Sequence, residues 1–221
     1  FGHNVTDDLP LTLLGSAYGE PCFVDPPGGG HGQIAGYRRS LGMEHPSHWN
    51  ARLEGCWAFH DPYLNDSKVE RLEALRARLA DEVGKPPASG RRVYLTRGTA
   101  GSARAPHNEA QLEVTLRDDG WDVVDPRTAP LHELHRLLAG ADVVAGVEGS
   151  QLAHAVLASP RGTAMVLLMP PDRFNLLLKD FCDRLGIRLG FHVGVPGAGG
   201  WRVDVDGMRR VIERLGRTPV D

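Results

Sequence analysis

Residues 91–126 read RRVYLTRGTAGSARAPHNEAQLEVTLRDDGWDVVDP, and their pattern is the clearest indication of the fold class. The apolar residues of 91–96 predict a strand, the pattern of 107–120 predicts a helix, and 121–125 predict a second strand. Since strands joined by a helix of about ten or more residues run parallel, the stretch predicts a βαβ unit. The loop between the first strand and the helix lies at the carboxyl end of a strand, where open parallel sheets bind ligands.

The same alternation continues towards the end of the sequence. Further strands are predicted at 141–146, 163–169 and 187–194, and further helices at 131–140, 150–158, 173–186 and 207–216. Parallel strands are usually buried on both faces, so helices are expected on both sides of the sheet. The predicted fold class is therefore α/β.

Residues 84–90, GKPPASG, form a proline- and glycine-rich boundary. We therefore expect a first domain at 1–84 and a second at 85–221. Just before the boundary, 65–83 places capping residues ahead of apolar residues at helical spacing, which predicts an amphipathic helix. The other predicted elements of the first domain are helices at 9–18 and 33–42, a strand at 21–25 and a strand within 51–59.

The composition is that of an ordinary globular protein, with 41% hydrophobic and 24% charged residues. The formal net charge of -3 argues against a nucleic-acid partner, because binding a phosphate backbone requires a basic face. No apolar run approaches the ~20 residues of a membrane-spanning helix. The three cysteines lack CxxC or zinc spacing, which favours reduced thiols and a cytoplasmic location. Because the sequence starts at Phe1 rather than Met, we expect the first domain to be incomplete.

Two predicted strand-to-helix loops carry candidate binding residues. Arg97 and Arg104 flank small residues in the first loop, where guanidinium groups and helix amides could hold a diphosphate. The alternative is that both arginines are solvated surface residues. In the second loop Glu148 lies near a helix start, where its carboxylate could hold ribose or sugar hydroxyls. It could equally be a carboxylate favoured by the helix dipole.

Taken together, these motifs resemble glycosyltransferase family 61. The similar segments are GHNVTDDLP at 2–10, the stretch 91–126 and LLAGADVVAGVEGSQLAHAVLASP at 137–160. The residues that match the family pattern are His3, Asp7, Leu9, Pro10, Arg97, Arg104, Asn108 and Glu109. The sequence departs from it where many members have His in a Gly-x-His-Gly-Ala element and Asn in the next helix. Glu148, Ser150 and His154 stand at those places.

The resemblance implies a GT-B-like fold of two Rossmann-like lobes, with an acceptor-side first lobe and a donor-binding second lobe. It implies inverting transfer from a nucleotide-sugar to a glycan or other hydroxyl acceptor in polysaccharide biosynthesis, without an obligatory metal or cofactor. The implied catalytic residues are Asp7 as the base and His3 beside it. The implied donor-binding residues are Arg97, Arg104, Asn108, Glu148, Gly149, Ser150 and Gln151. From the residues alone, Asp7 and Asp8 are equally expected to cap the helix that follows.

Two other functions are compatible with the sequence. A related domain that has lost transfer activity would bind a nucleotide or glycan without turnover, which Glu148 and the short first domain would fit. Gly30, Gly32 and Ala35 match the Ala variant of the dinucleotide fingerprint and would indicate an NAD(P)-dependent enzyme. Two prolines separate these glycines from the preceding strand, so an acceptor-side loop is the favoured interpretation.

Two metal-like patterns have structural explanations. Asp204 and Asp206 match the DxD of metal-dependent glycosyltransferases, but capping of the last helix by Asp206 is the favoured interpretation. His132 and His135 stand three residues apart on a predicted helix. Without a third ligand, they indicate a polar helix face rather than a zinc site.

Overall fold

The structure is a computed structural model that describes residues 2–25, 32–52, 54–61, 63–84, 86, 89–98 and 104–217. The chain divides into two compact units, Phe1–Glu82 and Val83–Asp221. Both units combine helices with parallel strands, so the α/β fold class predicted from the sequence is confirmed. Of the predicted motifs, Gly30 and the loop residues 99–103 lie outside the described residues.

The first unit begins with helical backbone earlier than the sequence predicts. A π-helical segment, Asn4–Asp8, runs directly into helix α1, Leu9–Gly15. Asp7 lies inside the π-helical segment, and Asp8 occupies the N-cap position of α1 without a side-chain capping bond. The capping interpretation of these two aspartates is therefore wrong.

The remaining elements of the first unit are strand β1, Phe23–Val24, helix α2, Gly32–Ser40, strand β2, Ser47–His48, and helix α3, Asp66–Val83. The two strands pair in parallel, with Phe23 opposite Ser47. The strand predicted within 51–59 is wrong, because the part of that stretch that the structure describes contains no strand. The true partner of β1 is a polar pair of residues, too short to show the two-residue periodicity of a strand.

Helix α3 follows its sequence pattern closely. The side-chain oxygen of Asn65 accepts the backbone N–H of Lys68 at 2.9 Å, which caps the first turn. Leu72, Leu75 and Leu79 form the buried stripe of the helix. Lys68 is also buried, one turn ahead of Leu72 on that stripe, whereas the neighbouring apolar residue Val69 is only half-buried.

In the described residues, the second unit holds a five-stranded parallel sheet of order β4-β3-β5-β6-β7. Its strands are β3, Arg91–Leu95, β4, Asp122–Val124, β5, Ala141–Val147, β6, Ala164–Met169, and β7, Arg188–Val193. One row across the sheet runs through Asp122, Val93, Val144, Met165 and Leu189. Because all these strands point the same way, their carboxyl ends form one edge of the sheet.

Helices cover both faces of this sheet. They are α4, Glu109–Asp118, α5, Leu131–Ala139, α6, Ala153–Ala158, α7, Lys179–Arg184, and α8, Val205–Gly216. Leu116 of α4 and Met208 of α8 pack in one core with Val166 of β6. Cys182 of α7 contacts Met165 of β6 at 3.9 Å. Met165 and Val166 are successive residues of one strand, so their side chains point to opposite faces of the sheet.

Three stretches of the second unit differ from the prediction. The helix predicted at 173–186 is wrong in its first half, because helical backbone starts only at Lys179. The helix predicted from Ser150 opens with a 3₁₀ turn, Ser150–Leu152. An antiparallel hairpin of β8, Val195–Gly197, and β9, Gly200–Arg202, was not predicted, because its proline and glycines indicate turns rather than strands.

The polar-face interpretation of His135 is also wrong. His135 is buried on α5, and its ring centroid lies 6.3 Å from that of His154 on α6. Burial lowers the pKa of His135 to about 4 and that of His154 to about 3. Both imidazoles are therefore neutral core groups at neutral pH, whereas His132 is exposed as predicted.

Candidate functional site

Glu109 shapes the loop that follows β3. Its carboxylate accepts the backbone N–H of Arg97 at 2.9 Å and that of Gly98 at 3.1 Å. The phenol of Tyr94 donates to the same carboxylate at 3.4 Å, and burial together with the charge of Glu109 raises the pKa of Tyr94 well above its ordinary value. A buried carboxylate that accepts backbone amides holds a loop in one conformation. Arg97 is thereby fixed at the carboxyl end of β3.

Arg97 is a buried side chain, 8% exposed, so the surface-arginine alternative is wrong for this residue. Its Nη1 donates to Oε1 of Gln151 at 3.0 Å, and Nε2 of Gln151 donates to the carbonyl of Val147 at 2.5 Å. A Cβ on Gly149 would lie 2.0 Å from Nη1 of Arg97. Only glycine therefore allows the guanidinium to lie against this turn.

Glu148 is the buried centre of a polar cluster at the end of β5. Nη1 of Arg104 donates to its Oε2 at 2.9 Å, and Nε of Arg173 donates to the same oxygen at 3.0 Å. Nδ2 of Asn175 donates to Oε1 at 2.8 Å. We call the set Arg97, Arg104, Arg173 and Glu148 the arginine cluster. Arg173 and Asn175 were not predicted as site residues, because the apolar pattern of their stretch predicts an uninterrupted helix.

The unpredicted hairpin helps to place Arg104. The indole N–H of Trp201 in β9 donates to the backbone carbonyl of Arg104 at 3.1 Å. The carbonyl of Trp201 in turn accepts the N–H of His107 at 2.9 Å. The segment before α4 is therefore attached to β9, which directs Arg104 towards Glu148.

The arginine cluster carries excess positive charge among the described residues. Its three arginines lie near two carboxylates, those of Glu148 and Glu109. The Glu109 carboxylate accepts backbone amides rather than a guanidinium group. Burial lowers the pKa of Arg97, and the neighbouring charges of Arg104 and Arg173 lower it further. The side chains of Arg104 and Arg173 are 22% and 43% exposed, so an anion can reach them from solvent. An anion bound there would relieve the repulsion between the guanidinium groups.

Asn108 has a structural role, because its side chain bonds to the backbone of a distant segment. Its Nδ2 donates to the carbonyl of Val203 at 3.1 Å, and its Oδ1 accepts the N–H of Val203 at 3.0 Å. This pair joins the start of α4 to the segment between β9 and α8. Ser150 is exposed at the start of its 3₁₀ turn. The structure therefore brings Arg97, Arg104, Glu148, Gly149 and Gln151 together and ties Asn108 elsewhere.

Asn108→Ala is expected to lower the free energy of unfolding by about 1–3 kcal/mol, because the buried backbone groups of Val203 lose their partners. Chemical denaturation followed by circular dichroism measures this loss. Thr115→Ala, which removes a surface hydroxyl bond on the same helix, is the control and should stay within about 0.5 kcal/mol. Unchanged stability with weakened nucleotide binding would contradict the scaffold role.

The two aspartates of the DxD pattern pair with arginines. Asp204 lies 3.4 Å from Arg210, and Asp206 lies 3.0 Å from Arg209. Asp204, rather than Asp206, occupies the N-cap position of α8, so that prediction was wrong by two residues. Within the described ranges, no group of three or more His, Cys, Asp or Glu side chains could hold a metal ion.

Across those same ranges, no helix has the length and apolar character needed to cross a membrane.

In the first unit, Asp7 lies at the meeting point of the π-helical segment and α3. Lys68 is 3% exposed, and its ammonium donates to Oδ1 of Asp7. Oδ2 of Asp7 lies 3.1 Å from Nδ1 of His3 and accepts the hydroxyl of Thr6 at 3.2 Å. The Asp7 side chain is 42% exposed and that of His3 is 87% exposed. The carboxylate is thus held from the protein side while part of it remains open to solvent.

Asp7 is ionised at neutral pH. Burial raises its pKa, but hydrogen bonds from Lys68 and His3 outweigh burial and place the pKa below its ordinary value. Because the folded-state pKa is depressed, the interaction stabilises the fold above the unfolded pKa of about 3.9 and is lost as the pH falls through the folded value. The sequence signal that could have found Lys68 is its place on the apolar stripe of α3.

The parallel sheet and its polar carboxyl edge define the class of this protein as Rossmann-like α/β. The family model of glycosyltransferase 61 matches residues 1–166, and the chain belongs to this family. It is therefore a glycosyltransferase, an enzyme that transfers sugars, as the sequence resemblance indicated. A search of curated proteins finds no match to the chain. The family match ends within β6, so Arg173 and Asn175 lie beyond the matched residues.

Proposed function

We propose that the protein transfers a sugar from a nucleotide-sugar donor to a hydroxyl of a glycan acceptor, with inversion and without an obligatory metal ion. The observation that supports this most is the arginine cluster at the carboxyl edge of the parallel sheet. Guanidinium groups bind phosphate oxygens through paired N–H donors, and a diphosphate offers several such oxygens. The cluster also occupies the edge where Rossmann-like sheets bind nucleotides.

The proposed reaction is a single displacement at the anomeric carbon of the donor sugar. The acceptor oxygen forms a bond to this carbon while the bond from the carbon to the diphosphate oxygen breaks. The nucleoside diphosphate leaves with the electron pair, and Arg97, Arg104 and Arg173 stabilise its developing negative charge. In metal-dependent enzymes a divalent cation stabilises this negative charge, and here the fixed positive charges of the arginines would do so.

Asp7 is proposed as the base that accepts the proton of the acceptor hydroxyl. Its carboxylate is ionised, partly exposed and held by Lys68 and His3, which suits a group that must meet a substrate in one orientation. A carboxylate with a lowered pKa is a weak base towards a free alcohol. The hydroxyl becomes far more acidic as its oxygen bonds to the anomeric carbon, so the proton transfer takes place late in the displacement.

Glu148 is proposed to position the arginines rather than to hold a sugar hydroxyl. Both of its oxygens already accept hydrogen bonds, from Arg104 and Arg173 on one and from Asn175 on the other. Two long side chains are thereby held in defined orientations before the donor arrives. Pre-ordering of this kind lowers the entropy cost of binding.

A thermal-shift screen of UDP, GDP, ADP and CDP tests the donor site. At least one nucleotide is expected to raise the melting temperature in the presence of EDTA, because a ligand at a hundredfold excess over its Kd stabilises the folded state by about 2.7 kcal/mol. Transfer from the matching nucleotide-sugar, followed by mass spectrometry, then tests the activity. If no nucleotide stabilises the protein, or if EDTA abolishes both binding and transfer, the proposal is wrong.

A further inference from the structure

We infer that Phe174 and Phe191 form a stacking platform for the base of the donor nucleotide, an inference that rests on the donor site proposed above. Phe174 is 61% exposed and Phe191 is 43% exposed. Their rings meet edge to face, with centroids 5.0 Å apart and planes at 83°. Contiguous exposed apolar side chains of this size mark binding surfaces more often than isolated ones do.

The platform is built from two neighbouring parts of the sheet edge. Phe191 lies in β7 opposite Leu167 of β6, near the carboxyl ends of both strands. Phe174 lies in the loop that follows β6. Two further exposed apolar side chains belong to the same two elements: Leu177 lies in the loop after β6, and Val193 lies at the end of β7. The aromatic pair is thus at the edge that carries the arginine cluster.

One short loop connects the platform to the arginine cluster. Phe174 lies between Arg173 and Asn175, and both of these neighbours donate hydrogen bonds to Glu148. Oδ1 of Asn175 also accepts the backbone N–H of Leu177 at 3.0 Å, which holds the turn. Consecutive Cα atoms are about 3.8 Å apart, so Phe174 and Arg173, which is proposed to bind the diphosphate, belong to the same short turn.

The ligand that fits this surface carries a compact anion and a flat apolar face a short distance apart. A nucleoside diphosphate has both, whereas inorganic phosphate, pyrophosphate and sugar phosphates lack the flat face. Every nucleobase has such a face, so stacking would add affinity without choosing strongly between bases. Both phenylalanines lie beyond residue 166, where the family match ends.

Calorimetric titration with pyrophosphate and with UDP, GDP and ADP separates the two parts of the site. Phe174→Ala and Phe191→Ala are each expected to weaken nucleotide binding about 5- to 150-fold, the range measured for base stacking on aromatic side chains. Pyrophosphate affinity should stay unchanged, because the guanidinium groups remain. Phe174→Trp, which keeps a flat ring, should retain nucleotide affinity. Val114→Ala, an exposed apolar residue on α4, is the surface control.

Three outcomes would overturn the inference. If both alanine variants bind nucleotides as the wild type does, the platform is wrong while the anion site stands. If Phe191→Ala loses pyrophosphate and nucleotide affinity together, the ring supports the arginine cluster instead of a base. If the wild type binds neither pyrophosphate nor any nucleotide, the proposed donor site fails and the platform with it.

Discussion

Asp7→Asn is expected to lower kcat by about 10²–10⁴, the usual contribution of a positioned general base. An amide has nearly the size of the carboxylate and keeps an acceptor oxygen for Lys68 and His3, but it cannot take a proton. Donor affinity should survive, because the arginines assigned to the donor are in the second unit. Turnover and nucleotide binding, measured on the same preparation, test this separation.

The structure predicts that Asp7→Asn also lowers the free energy of unfolding, which would not be expected if Asp7 only capped a helix. Lys68 is buried, and Asp7→Asn removes the negative charge that faces its ammonium. Breaking such a pair is costly, but the 42% exposure of the Asp7 side chain screens the interaction. The charge of Lys68 also lowers the pKa of Asp61, so a second carboxylate compensates part of it. We therefore expect a loss of about 1–2 kcal/mol rather than unfolding.

Lys68→Met is the matched control for Asp7→Asn, because it removes the ion pair and leaves the carboxylate. Loss of Lys68 should raise the pKa of Asp7, since the ammonium is what lowers it most. The acid limb of the kcat/KM profile should then move to higher pH, with much of the turnover retained near neutral pH. If Asp7→Asn turns over normally in a protein that is fully active, Asp7 is only the structural partner of Lys68.

Arg97→Ala is expected to weaken nucleoside diphosphate binding roughly 10- to 150-fold, the equivalent of one hydrogen bond to a charged group. The effect is large because Arg97 is held rigidly by Gln151 and by the turn at Gly149 before any ligand arrives. Calorimetry with the nucleotide that stabilises the wild type most in the thermal-shift screen measures it. Equal affinity of variant and wild type would remove Arg97 from the donor site.

A loop arginine ordinarily contributes little core packing, but the structure predicts that Arg97→Ala also lowers the free energy of unfolding. Arg97 is 8% exposed and donates to Gln151, so its removal leaves a buried amide oxygen without that donor. A loss of about 1–3 kcal/mol is expected in chemical denaturation. Arg117→Ala is the control, because Arg117 is 52% exposed and pairs with Glu113 on the surface of α4. Its effects on both affinity and stability should be negligible.

The sequence was sufficient to predict the order of strands and helices from β3 to β6, because buried parallel strands leave apolar runs that helical patterns separate. It also placed Arg97, Arg104 and Glu148 at strand ends, since topology brings the carboxyl ends of parallel strands to one edge. What it could not determine is which side chains meet there.

The hydrogen-bond and ion-pair partners of the polar side chains depend on the tertiary structure. Arg173 and Asn175 reach Glu148 across 25 and 27 residues of sequence, and both lie in a stretch that is not helical although its apolar pattern indicates a helix. Lys68 reaches Asp7 across 61 residues, so the expected helix cap is instead one half of a partly exposed ion pair. Local periodicity reports which face of an element is buried, but the identity of a polar contact depends on how distant elements pack.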